Sequence, residues 1–116
     1  MPKIIEVEID ELQPTELDAS QSSLNYYAST FPLLEEHQIP EVWELEGIKY
    51  LSDGHKQLHN RINNLGKKRA FVLCNTSDNC KVGPEAYGYV ASEILEEAKE
   101  ARKNGIEHIS DLKITA

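Results

Sequence analysis

Residues 50–60, YLSDGHKQLHN, bring an acid, a glycine, two imidazoles and an amine to the point where a strand-like run gives way to helical spacing. The first turn of a helix leaves its backbone N–H groups unpaired and carries partial positive charge, which makes it a site for anions. Gly54 lets the backbone turn sharply and lets a ligand approach closely. His55 and Lys56 add side-chain donors, and Asp53 can orient the loop or a magnesium-bound water. The same residues also have a plainer role open to them. Ser52 or Asp53 can cap the helix, which contributes about 1 kcal/mol, while His55 packs among its neighbours.

Two other groupings invite chemistry. His55 and His59 stand four apart, a spacing that puts both on one helical face and suits zinc. Lys56 and Gln57 follow His55, however, so the internal Glu of a metalloprotease helix is missing, and no further ligands cluster nearby. No metal site is expected. Cys74 and Cys80 are the only two cysteines. Cys74 lies in the apolar run AFVLCN, where a thiol is usually inert packing. The opening MPKIIEVEIDE is too acidic for a secretory signal, and the sequence has no apolar stretch of membrane-spanning length. A cytoplasmic protein with reduced thiols and no membrane association is expected.

The net charge of −8 argues against direct DNA binding, because Lys and Arg must neutralise phosphates there. The charge is uneven. Residues 1–36 hold 8 acids and one base, whereas residues 37–83 hold 5 acids and 7 bases, net +2. The bases gather around the opening motif, as Lys56, Arg61 and the GKKR of 66–69. They form either a solvated face or a local positive site for a small anion.

The elements that must position this site follow from periodicity. Ile5, Val7 and Ile9 alternate with Glu6, Glu8 and Asp10 and predict a half-buried strand. QPTELDASQSS reads as a loop, and SLNYYASTF as a short helix closed by Pro32. IPEVWELEGIKYLSD predicts a hairpin turning at Glu46-Gly47. From Asp53 the period becomes helical, with Leu58, Ile62 and Leu65 on one face and Gly66 as the stop. AFVLCN predicts a buried strand. Pro84 opens the longest helix, with Tyr87, Ala91, Ile94, Leu95, Ala98 and Ala101 as its apolar stripe. Asn104-Gly105 ends it, and Ile106, Ile109 and Leu112 dock the tail. The order predicts a small α+β domain with a mixed sheet, flanking helices and a long C-terminal helix.

Three segments carry a family likeness. The pattern Ile-Pro-x-Val, then Tyr-Leu-x-Asp-Gly-His, a helix, a Gly and an apolar strand resembles the ParB/sulfiredoxin superfamily. LQPTEL at 12–17 is similar to its Leu-x-Pro-Ser/Thr-x-Leu, DGHKQL at 53–58 to its Asp-Gly-His-Thr-Arg-Ala, and ARKNGIEHISDL at 101–112 to its closing helix and tail. The likeness is nearest to the stand-alone ParB-like group that includes free-serine kinases, and it covers most of the chain as one ParB-like domain, 1–116. It implies a nucleotide- or phosphate-binding site at Ser52, Asp53, Gly54, His55, Lys56 and Gln57, with ATP, ADP or CTP and Mg2+ as ligands.

The departures from that family shape the expectation. Gln57 stands where the family has Arg. Gln21 falls near the position of the kinases' acidic residue, and Gly54 replaces the sulfiredoxin Cys. The Arg-rich box and any DNA-binding segment of the partitioning proteins are absent. The resemblance therefore implies nucleotide binding without efficient catalysis. Two other readings stand beside it. One is a non-catalytic module that binds a protein partner. The other is a kinase for an amino-acid hydroxyl, in which Glu16 or Asp18 supplies the base.

Overall fold

The computed structural model describes residues 2–30 and 39–116. Its opening alternation forms β1 (Lys3–Glu8), with Val7 buried and Glu6 and Glu8 exposed. The chain then tightens into a 3-10 turn over Ile9–Glu11, which keeps Ile9 in the core. The hairpin forms as the sequence predicts, from β4 (Glu41–Leu45) and β5 (Ile48–Asp53). Its two turn residues, Glu46 and Gly47, have φ of 52° and 82°. A two-residue turn with both residues left-handed matches the twist of the strands it joins.

Five strands make one mixed sheet in the order β1-β6-β4-β5-β2, counting β2 (Gln13–Pro14) and β6 (Arg69–Asn75). β6 lies between β1, antiparallel, and β4, parallel, and β2 runs parallel to the end of β5. A separate parallel pair joins β3 (Asp18–Ser20) to β7 (Lys113–Thr115). Among the described residues, three helices accompany the strands: α1 (Gln21–Thr30), α2 (His55–Asn63) and α3 (Pro84–Lys103).

The core is split by the sheet. Val7, Val42, Leu51 and Val72 meet Leu58 of α2 on one face. On the other, Trp43, Leu45 and Tyr50 meet Ile94 and Ala98 of α3. Burying a side chain such as Leu58 contributes about 1.5–3 kcal/mol, so α2 is held firmly at its middle. The fold is α+β, with a mixed sheet, flanking helices and a long C-terminal helix. Ile106, Ile109 and Leu112 are buried and seat the tail on the body.

Four details differ from the sequence expectation. The stretch read as a loop contains β2 and β3, which exist through pairing with Tyr50-Leu51 and with 113–115 rather than through local pattern. α1 begins at Gln21, where the Ser20 hydroxyl accepts from the N–H of Ser23. α2 ends at Asn63, so Leu65 lies beyond the helix it was expected to stripe. β6 is buried along one face, where Ala70, Val72 and Cys74 point inward, while its other face runs from an exposed Phe71 (58%) to a buried Asn75. Pro32 lies outside the described residues.

Candidate functional site

β5 ends at Asp53, and the chain enters α2 through Gly54, whose φ of 101° and ψ of 19° are left-handed. A Cβ at that position would sit 2.7 Å from Cβ and 2.9 Å from Cα of Pro40. Both the dihedral angles and the close approach of Pro40 therefore require glycine. Among the described residues no side chain caps the first turn of α2, so neither Ser52 nor Asp53 plays the capping role that their types allow. The N–H groups of His55 and Lys56 lie at this uncapped end, where the helix carries its partial positive charge.

His55 is the first residue of α2 and is 2% exposed. The backbone N–H of Thr15 donates to its Nε2 at 2.9 Å. An accepting Nε2 carries no proton, so the neutral ring is protonated at Nδ1. Nδ1 is buried and, among the described residues, has no hydrogen-bond partner. It faces the Glu16 carboxylate, with Oε2 at 3.6 Å, too far for a hydrogen bond. An unmade bond at a buried donor costs about 1–3 kcal/mol, and a ligand oxygen placed there would recover it.

The loop that holds His55 is itself fixed. Thr15 donates its hydroxyl to the Leu51 carbonyl at 2.7 Å, and Gln13 donates Nε2 to the Ile106 carbonyl at 3.0 Å. These bonds tie LQPTEL to the end of β5 and to the C-terminal tail. The three segments that carried the family likeness thus meet around one turn.

Burial, and after it the neighbouring Lys56, lowers His55 to about 4. Glu16 moves the other way. Burial raises its carboxyl, Lys56 opposes that rise, and Asp53, Glu97 and Asp18 add to it. The turn therefore combines a helix N-terminus, a neutral imidazole donor and one ammonium with several carboxylates. A bare anion would meet repulsion from the acids. An anion that brings a divalent cation would satisfy both signs, because Mg2+ is commonly shared between one or two carboxylates and phosphate oxygens. Among the described residues, no three His, Cys, Asp or Glu side chains gather as a metal-binding group.

The six residues expected to form the site divide by direction. Gly54, His55 and Lys56 make the turn and the first helical residues. Asp53 is exposed at the end of β5. Ser52 directs its hydroxyl to Glu41, at 3.1 Å from the carbonyl and 3.3 Å from Oε1. The same carboxylate accepts from Trp43 Nε1 at 3.1 Å and pairs with Lys81 at 2.8 Å. Gln57 borders a cavity on the β6 side of α2. Gln21 is exposed at the start of α1, where its amide donates to Asn25 Oδ1 at 2.9 Å. Thr15 is the addition that geometry makes to the site, its signal in the sequence being the LQPTEL segment, and Glu16, a candidate base by sequence, lies beside His55. The Asn63 side-chain amide lies 2.9 Å from Nε2 of His59 and 3.1 Å from its Nδ1. Both cysteines are free thiols, Cys74 buried and Cys80 partly so.

No family model matches the chain, and no curated protein matches its sequence. Among solved structures it is similar to the crystal structure of protein Atu1540 from Agrobacterium tumefaciens, with a TM-score of 0.59 and 15% identity. The likeness covers 98% of this chain but 63% of that one, so the chain spans less than two thirds of that protein's length. At this identity the likeness concerns the fold alone.

Proposed function

We propose that the β5–α2 turn is a nucleotide phosphate site of the ParB/sulfiredoxin kind, taking ATP, ADP or CTP as the magnesium complex. The observation that carries this reading is the Nδ1 of His55: a buried donor that, among the described residues, has no partner, at a helix N-terminus that none of them caps. Backbone N–H groups of His55 and Lys56 receive phosphate oxygens, His55 Nδ1–H donates a further bond, and the Lys56 ammonium balances charge. Glu16 and Asp53 face the cation that accompanies the nucleotide. Isothermal titration with each nucleotide, with and without magnesium, tests it. Saturable heat that requires magnesium is expected, and no heat at millimolar nucleotide contradicts it.

One observation favours a catalytic version of the same site. The Glu16 carboxylate lies 3.6 Å from the buried imidazole and is raised by burial. Transfer of a phosphoryl group to a small hydroxy compound needs a base in reach of the hydroxyl. In this version Glu16 supplies the base, since the Gln21 amide cannot accept the proton. Nucleotide turnover that depends on an added amino-acid hydroxyl and is lost in Glu16→Gln distinguishes this version from binding alone.

A further inference from the structure

β4 and β5 lose register at the end of the hairpin nearest the turn. Val42 stands opposite Leu51, but Glu41 stands opposite Asp53, so Ser52 is the extra residue between them. A bulge of this kind breaks the two-residue alternation of a strand and re-aims the side chain that follows. Strict alternation would turn Asp53 to the face of Leu51, where Val42 and Leu58 form core. The extra residue frees it: Asp53 is exposed at the end of β5. Burial is the first cause of the raised Glu16 carboxyl, and Asp53 adds to it, as a neighbouring carboxylate does.

A residue outside the regular ladder has to be held by other bonds, and Ser52 is held by Glu41. Its single hydroxyl proton is shared between the Glu41 carbonyl at 3.1 Å and Oε1 at 3.3 Å, so the donor stays on Glu41 whichever oxygen it takes. The carboxylate is itself fixed by two further donors, Trp43 Nε1 at 3.1 Å and Lys81 Nζ at 2.8 Å, and its side chain is only 15% exposed. Lys81 comes from the loop after β6, where the Lys81 N–H donates to Asn75 at 2.9 Å. Pro40, the residue before Glu41, closes on Gly54. Residues 40–41 therefore grip the turn on both sides of Asp53.

We propose that the Ser52–Glu41 pair positions the turn: Glu41 pins the bulge, and the bulge aims Asp53 toward the place where a cation would meet Glu16. The family likeness puts Ser52 among the phosphate-binding residues. Here Ser52 and Glu41 act on the site through Asp53, as positioning residues that touch no ligand. The aim of Asp53 follows from the geometry of the turn alone, whereas its effect on a nucleotide rests on the magnesium–nucleotide reading of the site.

The register is read in ligand-free, isotope-labelled protein from the cross-strand Overhauser contact between Glu41 and Asp53. Ser52→Ala should lose that contact, and Ser52→Thr, which keeps the hydroxyl, should retain it. Calorimetric titration with magnesium and ATP reads the consequence, at a temperature where both variants are folded. Ser52→Ala should bind about tenfold more weakly than the wild type, the scale of one lost hydrogen bond, while Ser52→Thr should match the wild type. A Glu41–Asp53 contact that survives in Ser52→Ala, or one lost in both variants, would overturn the proposal. So would ATP binding by Ser52→Ala equal to that of the wild type. A wild-type protein that does not bind ATP contradicts the nucleotide reading alone, and the contact in Ser52→Ala still decides what aims Asp53.

Discussion

Thr15 donates its backbone N–H to Nε2 of His55 at 2.9 Å, across 40 residues of sequence. That one bond joins the LQPTEL loop to the first turn of α2 and fixes which imidazole nitrogen carries the proton. A protonated ring would have to give up this bond, since Nε2 would then be a donor facing a donor. The clasp therefore needs a neutral His55. Nitrogen-detected spectra of the ring at pH 7 should show the Nδ1-protonated neutral form; an Nε2-protonated or cationic ring would contradict it.

The same residue predicts a pH dependence with a defined sign. His55 takes a proton at about 4 in the folded protein and near 6.5 unperturbed. Between those values the unfolded chain binds more protons, so the His55 contribution is complete above pH 6.5 and is lost as the pH falls toward 4. The gap corresponds to about 3 kcal/mol. Glu16 runs the opposite way, because its raised carboxyl favours the folded state as pH falls through its native value. Urea denaturation in a Glu16→Gln background, at pH 7.5 and 4.5, should show a loss of stability that the added His55→Gln change removes. Equal pH slopes in the two variants would contradict the assignment.

Gly54 and Gly66 both have positive φ but differ in their surroundings. At Gly66 a Cβ meets nothing within 4 Å, whereas at Gly54 it meets Pro40 at 2.7 Å. Gly66→Ala should cost about 1–2 kcal/mol for the left-handed backbone alone. Gly54→Ala should cost about 2–5 kcal/mol, because overpacking adds to it. Urea midpoints of the two variants make the comparison, and equal losses would contradict it.

Asn75 is fully buried and bridges two segments, donating to the Val42 carbonyl at 3.2 Å and accepting from the Lys81 N–H at 2.9 Å. Asn75→Ala should destabilise by about 1–3 kcal/mol, the cost of unpaired buried groups. Thermal unfolding reads this directly, and a neutral result would mean that the bridge does not hold the loop after β6.

The two thiols should separate by rate. Cys74 is 5% exposed and burial raises its thiol, so it is both hidden and protonated at neutral pH. Cys80 is partly exposed. A colorimetric disulfide reagent should titrate one thiol quickly and the other only on unfolding. Two fast thiols would contradict the burial of β6's inner face.

The turn itself was legible in the sequence. A glycine at the switch from strand to helical period can be read from residue types, and so can a hairpin on Glu46-Gly47. What could not be read is what depends on distant partners. β2 and β3 are two and three residues long and owe their existence to pairing with β5 and β7. Glu16 was a candidate base by residue type, but its place 3.6 Å from His55 depends on the Thr15 clasp that draws its loop against α2. Phe71 looks like core in AFVLCN, but α3 packs against Trp43, Leu45 and Tyr50 and leaves the outer face of β6 open there. Ser52 reads as a site residue by proximity, yet strand alternation turns it toward Glu41.

The most direct test of the central claim is a crystal structure with magnesium and ATP, ADP or CTP bound, read at residues 52–57. The account predicts phosphate oxygens within hydrogen-bond reach of the His55 and Lys56 backbone nitrogens and of His55 Nδ1, with the Thr15–His55 bond intact. A nucleotide ordered elsewhere, or one at this turn with Nδ1 of His55 still unpartnered, would contradict it.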